Sequence, residues 1–211
     1  MGRREWRTFV ENHSHELFAC DFMTQYTALF TTVYVFVVME IGTRRIVHCN
    51  VTESPTLDWV KIQIRGIAAF DRAPRFLLHD NDGIFGQFGR TRDGFRSNLD
   101  RWLSGTMGIE GLPTPYHAPK ANPHVERFHR TLREDALNHV IFLNASHVRR
   151  VAREFMEYYN RARPSQGRKR SFRVHAIHDP YPELLNEPHS SGKLIALPVL
   201  GGVQHDYRLA A

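Results

Sequence analysis

Cys20 and Cys49 are the only cysteines in 211 residues, and that scarcity excludes a disulfide-stapled scaffold or a zinc site built on C-x-x-C pairs. Both lie in apolar stretches, where buried free thiols of a reducing, cytoplasmic compartment are expected. Long hydrophobic runs are missing as well. The longest, Val33 to Met39, falls far short of the ~18 to 20 residues that a membrane span requires. The opening "MGRREWRTFVEN" carries charge with no apolar segment behind it, unlike a secretory signal. Internal repeats and low-complexity tracts are absent too.

What is present describes an ordinary folding chain: 42% hydrophobic and 24% charged residues, a balance typical of globular proteins. Lys and Arg number 28 against 22 for Asp and Glu. Twelve of those cations and only five of the acids fall between residues 116 and 170. That segment is therefore +7 and the rest of the chain −1, a regional basicity that suits a polyanionic partner such as DNA.

The chain alternates strand and helix patterns. "HELFACDFM", "FTTVYVFVVME" and "RRIVHCNV" are rich in β-branched and aromatic residues and are separated by turn-like breaks, so a three-stranded meander is expected. Ser54-Pro55 reads as a helix start, with Leu57, Val60, Ile64, Ile67 and Ala68 at helical spacing behind it. "PRFLLHD" is a short buried strand ending in Asp80, and "IEGLPTPY" is a candidate last strand. Between them a mobile loop is expected, followed by a helix from about Phe95 to Leu103. Two amphipathic helices complete the core, one from Asn122 to about Asn138 and one from near Ser146 with Val148, Val151, Ala152, Phe155, Tyr158 and Tyr159 on one face. The expected division is a lead over 1–14, a core over 15–165, a linker over 166–192 and a hairpin-like tail over 193–211.

Three carboxylates break the local rules. Asp is depleted in strands, yet Asp21 sits inside the alternation Leu17, Ala19, Asp21, Met23. Asp80 ends an apolar strand, where open α/β sheets place their sites, although an Asx turn explains it equally well. Asp82 nearby is either a turn former or an outer partner of the same site. Glu126 shares a ~100° sector of its helix with His129, Arg130 and Arg133, beside the apolar stripe of Val125, Phe128, Leu132 and Ala136. Alone it would be a first-turn acid favoured by the helix dipole. His124 and His129 are five apart, a poor spacing for a metal pair. If Asp21, Asp80 and Glu126 converge on one sheet edge, mutual repulsion opposes their ionisation unless cations intervene, and two Mg²⁺ ions would fill that need.

The segments "ACDFM", "PRFLLHDNDGIFG", "TPYHAPKANPHVERFHRTLREDALNHV", "YYNRARPSQG" and "GKLIALPVLGGVQHDYRLAA" together resemble the catalytic core of DDE transposases and retroviral-type integrases, in particular those of bacterial insertion sequences. The resemblance implies an α/β, ribonuclease-H-like fold: a mixed five-stranded sheet flanked by helices, with a short C-terminal β-hairpin-like tail. It implies Asp21, Asp80 and Glu126 as catalytic, metal-binding residues using two Mg²⁺ ions, with Mn²⁺ as a substitute. Lys120, Asn122, Arg130 and Arg133 would face DNA. The implied chemistry is cleavage of a phosphodiester followed by attack of the released 3′-hydroxyl on target DNA. A homo-oligomer is expected by the same resemblance. Such cores are usually preceded by a helix-turn-helix reader, whereas about twenty residues precede Asp21, so a separate DNA-binding subunit is a further expectation. The 45 residues between Asp80 and Glu126 exceed the usual spacing, with the excess expected between Gln87 and Leu103. The alternatives from other classes are an inactive DNA-binding remnant and a ribonuclease-H-like nuclease.

Overall fold

The computed structural model describes residues 3–68, 73–80, 82–87, 89–91, 94–114, 123–163 and 194–209. Strands β1 (Leu17–Tyr26), β2 (Thr32–Glu40) and β3 (Ile46–Thr52) form the expected meander. Helix α2 (Leu57–Ala68) leads to β4 (Phe76–His79), and β7 (Glu110–Pro113) follows later in the chain. The five strands make one sheet in the order β3-β2-β1-β4-β7. The meander is antiparallel, while β4 joins β1 and β7 joins β4 in parallel. The sheet is therefore mixed, as the sequence leads one to expect.

Strand periodicity divides the side chains between two apolar layers. Leu17, Ala19, Val35, Val37, Phe76 and Leu78 face helices α4 (Pro123–Asp135) and α5 (Ala145–Arg161), whose Val125, Phe128, Leu132, Val148, Ala152 and Phe155 complete that layer. Phe18, Cys20, Phe36, Val38 and Leu77 face the other way, onto Val60 and Ile64 of α2 and onto Leu99 of α3 (Asn98–Trp102). Both cysteines are buried and free. Tyr158 is buried and Tyr159 lies against the same layer, a core role for the aromatic pair.

Local chemistry sets the boundaries. The cap of α2 is Thr56, whose Oγ1 accepts from Trp59 N at 3.2 Å, and not Ser54 as the Ser-Pro pattern suggested. Asn144 caps α5 by accepting from His147 N at 2.9 Å. The amino-terminal lead is a helix, α1 (Arg3–His13), with Trp6, Phe9 and Val10 against the core and the Phe9 ring edge-on to Phe76 at 5.1 Å. Between β4 and α3 lies a small hairpin, β5 (Gly89–Thr91) and β6 (Gly94–Arg96), where the sequence suggested only a loop. The tail is the expected hairpin, β8 (Leu194–Val199) with β9 (Gln204–Leu209). It is tied to the helices by Leu200 N donating to Glu154 Oε1 at 2.6 Å and Gln204 Nε2 donating to Asp135 O at 3.0 Å. The linker expected over 166–192 lies outside the described residues.

One buried side chain joins the far end of α5 to the outer strand. Asn160 accepts from Ile46 N at 2.9 Å and donates to Ile46 O at 2.8 Å, beside the irregularity where the β2–β3 register shifts. Asn160→Ala strands two buried backbone groups. We expect a loss of about 2 to 3 kcal/mol in urea unfolding, the usual cost of unsatisfied buried polar groups. An unchanged midpoint would show that another partner reaches Ile46.

Candidate active site

The sheet explains how two distant aspartates meet. Leu17 pairs with Phe76 and Ala19 with Leu78, so the same parallel register carried two residues further sets Asp21 abreast of Asp80. Equal parity sends both toward the α4 layer. Helix α4 begins with Pro123 at its first position and brings Glu126 in its first turn. Its buried stripe of Val125, Phe128 and Leu132 fixes which face is turned to the sheet and leaves Glu126 exposed beside the strand ends.

The electrostatics register this convergence. Burial first, then the charges of Asp80, Glu126 and Asp82, push the Asp21 carboxyl up to about 7, against the opposing pull of the Phe22 N–H. That N–H donates to Asp21 Oδ1 at 2.8 Å. Asp80 is also raised, chiefly by burial, and its Oδ1 accepts from Asp82 N at 3.1 Å. Asp82 is a turn former: its Oδ1 accepts from Ile84 N at 2.9 Å and caps the short turn Gly83–Phe85. Asp21 and Asp80, neighbouring carboxyls that both resist ionisation, are hard oxygen donors suited to a divalent cation. Among the described residues, no three of His, Cys, Asp and Glu close into a single ligand cage. The cluster is thus electrostatic in this geometry.

His129 is a neighbour that sequence spacing did not assign to the site. Its Nδ1 stands 3.6 Å from Asp21 Oδ2. Burial and the nearby Arg133 push its pKa down to about 4, so the ring is neutral near pH 7 and offers Asp21 a polar contact without charge. Its Nε2 is buried with no hydrogen-bond partner among the described residues. The only local hint was its place one turn beyond Glu126.

Of the four DNA-facing candidates, Arg130 and Arg133 are exposed on α4. Arg133 Nη2 donates to Thr24 O at 3.0 Å, which ties the helix to β1 three residues beyond Asp21. Lys120 and Asn122 lie outside the described residues. No helix among the described residues is long and apolar enough to cross a membrane.

Comparison with known proteins fits this architecture. Residues 107–170 match the family model for the integrase core domain. Among solved structures, the HTLV-2 integrase catalytic core domain in complex with magnesium is similar in its dimeric form with TM-score 0.53 at 11% identity, over 77% of this chain and 97% of that one. Its trimeric form gives 0.52 at 10% identity, over 72% and 90%. The simian T-cell lymphotropic virus intasome, solved by electron cryomicroscopy in complex with PP2A regulatory subunit B56 gamma, gives 0.56 at 11% identity, over 92% of this chain and 66% of that one. No curated protein sequence matches the chain. With this sheet order, the chain has the mixed five-stranded, ribonuclease-H-like fold of integrase catalytic cores, and its residues 107–170 match the integrase core domain model.

Proposed function

We propose that this chain is the catalytic core of a DNA transposase or integrase of insertion-sequence type, cleaving DNA phosphodiesters and joining a released 3′-hydroxyl to target DNA. The observation that supports this reading is the charge coupling of Asp21 to Asp80 and Glu126, acids from three distant segments of the chain. The donor set fits Mg²⁺ or Mn²⁺, which Asp21, Asp80 and Glu126 would hold. Two such ions would supply Lewis-acid polarisation of the scissile phosphodiester.

The protein's own part is placement and charge. Backbone N–H groups of Phe22 and Asp82 fix one oxygen each of Asp21 and Asp80, leaving the second oxygen of each for other partners. Glu126 rides a helix locked by its apolar stripe. Arg130 and Arg133, with Lys120 and Asn122 just ahead of the helix, supply cations and donors to a DNA backbone, which positions the duplex without reading its sequence. DNA ends and target, a second copy of the chain and a separate DNA-binding subunit are the partners this reading assigns.

The test is nicking of supercoiled plasmid by the purified chain with Mg²⁺ or Mn²⁺, with EDTA and Glu126→Gln as controls, followed by strand transfer on candidate end sequences. Metal-dependent nicking that Glu126→Gln abolishes, together with joined products, supports the proposal. Cleavage without joining would assign the chain to ribonuclease-H-like nucleases. DNA binding without cleavage by folded protein would sink the catalytic reading.

A further inference from the structure

The residue before Asp80 heads a chain of buried polar contacts that the proposed chemistry does not use. His79 is fully buried and Asp100 is 2% exposed, among Leu77, Phe85 and Leu99. His79 Nδ1 lies 2.7 Å from the Asp80 carbonyl oxygen. A carbonyl only accepts, so that nitrogen carries a hydrogen, and an ionised carboxylate facing the other ring nitrogen requires a donor there as well. The other ring nitrogen, Nε2, lies 2.8 Å from Asp100 Oδ1. Asp100 Oδ2 in turn accepts from Ser97 N at 2.7 Å, while Asp100 N donates to Ser97 Oγ at 3.0 Å, the reciprocal cap that starts α3. The His79 ring also rests on Phe85 at 5.0 Å between centroids.

Strand β7 leaves room for this arrangement. A side-chain carbon at Gly111 would overlap the Asp100 carboxylate, so only glycine lets that carboxylate reach His79. Arg96 Nη1 secures the same point by donating to Gly111 O at 2.7 Å. Burying such a pair in an apolar layer is a poor way to gain stability, because desolvation offsets the attraction and apolar residues fill the same space as well or better. What the pair does achieve is orientation. The bond to the Asp80 carbonyl fixes the peptide from which the Asp80 side chain departs.

We infer that Asp100 and His79 are a positioning pair for Asp80: α3 holds Asp100, Asp100 holds the His79 ring, and the ring fixes the backbone that aims the Asp80 carboxylate. The inference rests on the reading of Asp80 as a metal-binding carboxylate. It gives the segment between β4 and β7 a role in the site, although no residue of α3 is itself in the acidic cluster.

The experiment measures Mn²⁺ binding by the full chain through the electron paramagnetic resonance signal of free Mn²⁺, a readout independent of cleavage. Plasmid nicking is followed across the same Mn²⁺ series. Asp100→Asn and His79→Gln are expected to weaken Mn²⁺ binding roughly 10-fold or more, the usual effect of removing a partner that orients a metal ligand, with nicking partly recovered at high Mn²⁺. Both are assayed below their melting temperatures, where a purely structural role leaves the Mn²⁺ curve of folded protein unmoved. Folded variants with the wild-type curve overturn the inference and leave the metal reading intact. Wild-type protein that binds no Mn²⁺ overturns both. If neither variant folds, Ser97→Ala decides: it removes the Oγ that accepts from Asp100 N and so loosens the turn that seats Asp100, and a several-fold weakening supports the pair, whereas an unchanged curve overturns it.

Discussion

Asp21→Asn is expected to stabilise the metal-free protein at pH 8 by about 2 kcal/mol while abolishing DNA nicking. Burial and the charges of Asp80 and Glu126 hold the Asp21 carboxyl at about 7 in the folded chain, against about 3.9 in an unfolded one. A raise of about three units corresponds to ~4 kcal/mol. The side chain is 21% exposed, and solvent screening there brings the figure down to about half. The sign follows from the direction of the shift. A carboxyl whose folded pKa is raised favours folding while protonated, so its contribution is full below about pH 4 and is lost as pH climbs through about 7. Asparagine stays neutral throughout and still offers an oxygen to the Phe22 N–H.

In urea unfolding with EDTA, the difference between mutant and wild type should therefore be near zero at pH 4 and grow to its full value by pH 8. Added Mg²⁺ should reverse the order by stabilising the wild type, as any ligand of the folded state does. A mutant no more stable than wild type at pH 8 would mean that neither burial nor the neighbouring carboxylates disfavour the Asp21 charge in solution.

Much of this site was legible because its parts sit on regular elements. The period-two alternation around Asp21 and the apolar run ending at Asp80 specify strands. The stripe Val125, Phe128, Leu132 specifies the helix face that leaves Glu126 at the edge. The stretch from Gln87 to Leu103 holds the β5–β6 hairpin and α3. Other features carry no local signal. His129 meets Asp21 across 108 positions, and Asp100 meets His79 across 21, so spacing rules for one helix or strand cannot find either pair. The strands Gly89–Thr91 and Gly94–Arg96 are three residues each, too short for alternation to register. Helix α1 was readable in principle: Trp6, Phe9, Val10 and His13 recur at helical spacing, but the arginines and glutamates around them resemble a polar lead. Ser54-Pro55 misled about the cap of α2 because Thr56 is also a good cap and lies two residues closer to the apolar run.

Phe128→Ala is expected to cost about 3 to 5 kcal/mol, the range for emptying a fully buried aromatic site. Phe128 is 0% exposed; its ring stands edge-on to Tyr159 at 4.8 Å and 6.1 Å from Phe155. Domains of this size are stable by only about 5 to 15 kcal/mol, so a large part of the margin rests on one ring between α4 and α5. Its position two residues past Glu126 separates two ways of losing activity. Glu126→Gln alters an exposed side chain and should remove nicking with little change in the unfolding midpoint. Phe128→Ala should lower the midpoint sharply and reduce nicking by more than the unfolded fraction accounts for, because a loosened α4 no longer holds Glu126 against the Asp21 edge. Phe128→Leu, which refills most of the space, should restore both together. Urea unfolding paired with nicking at several temperatures makes the comparison. If nicking by Phe128→Ala simply tracks the folded fraction, the stripe stabilises the domain without setting the geometry of the site, and the aim of Glu126 does not depend on it.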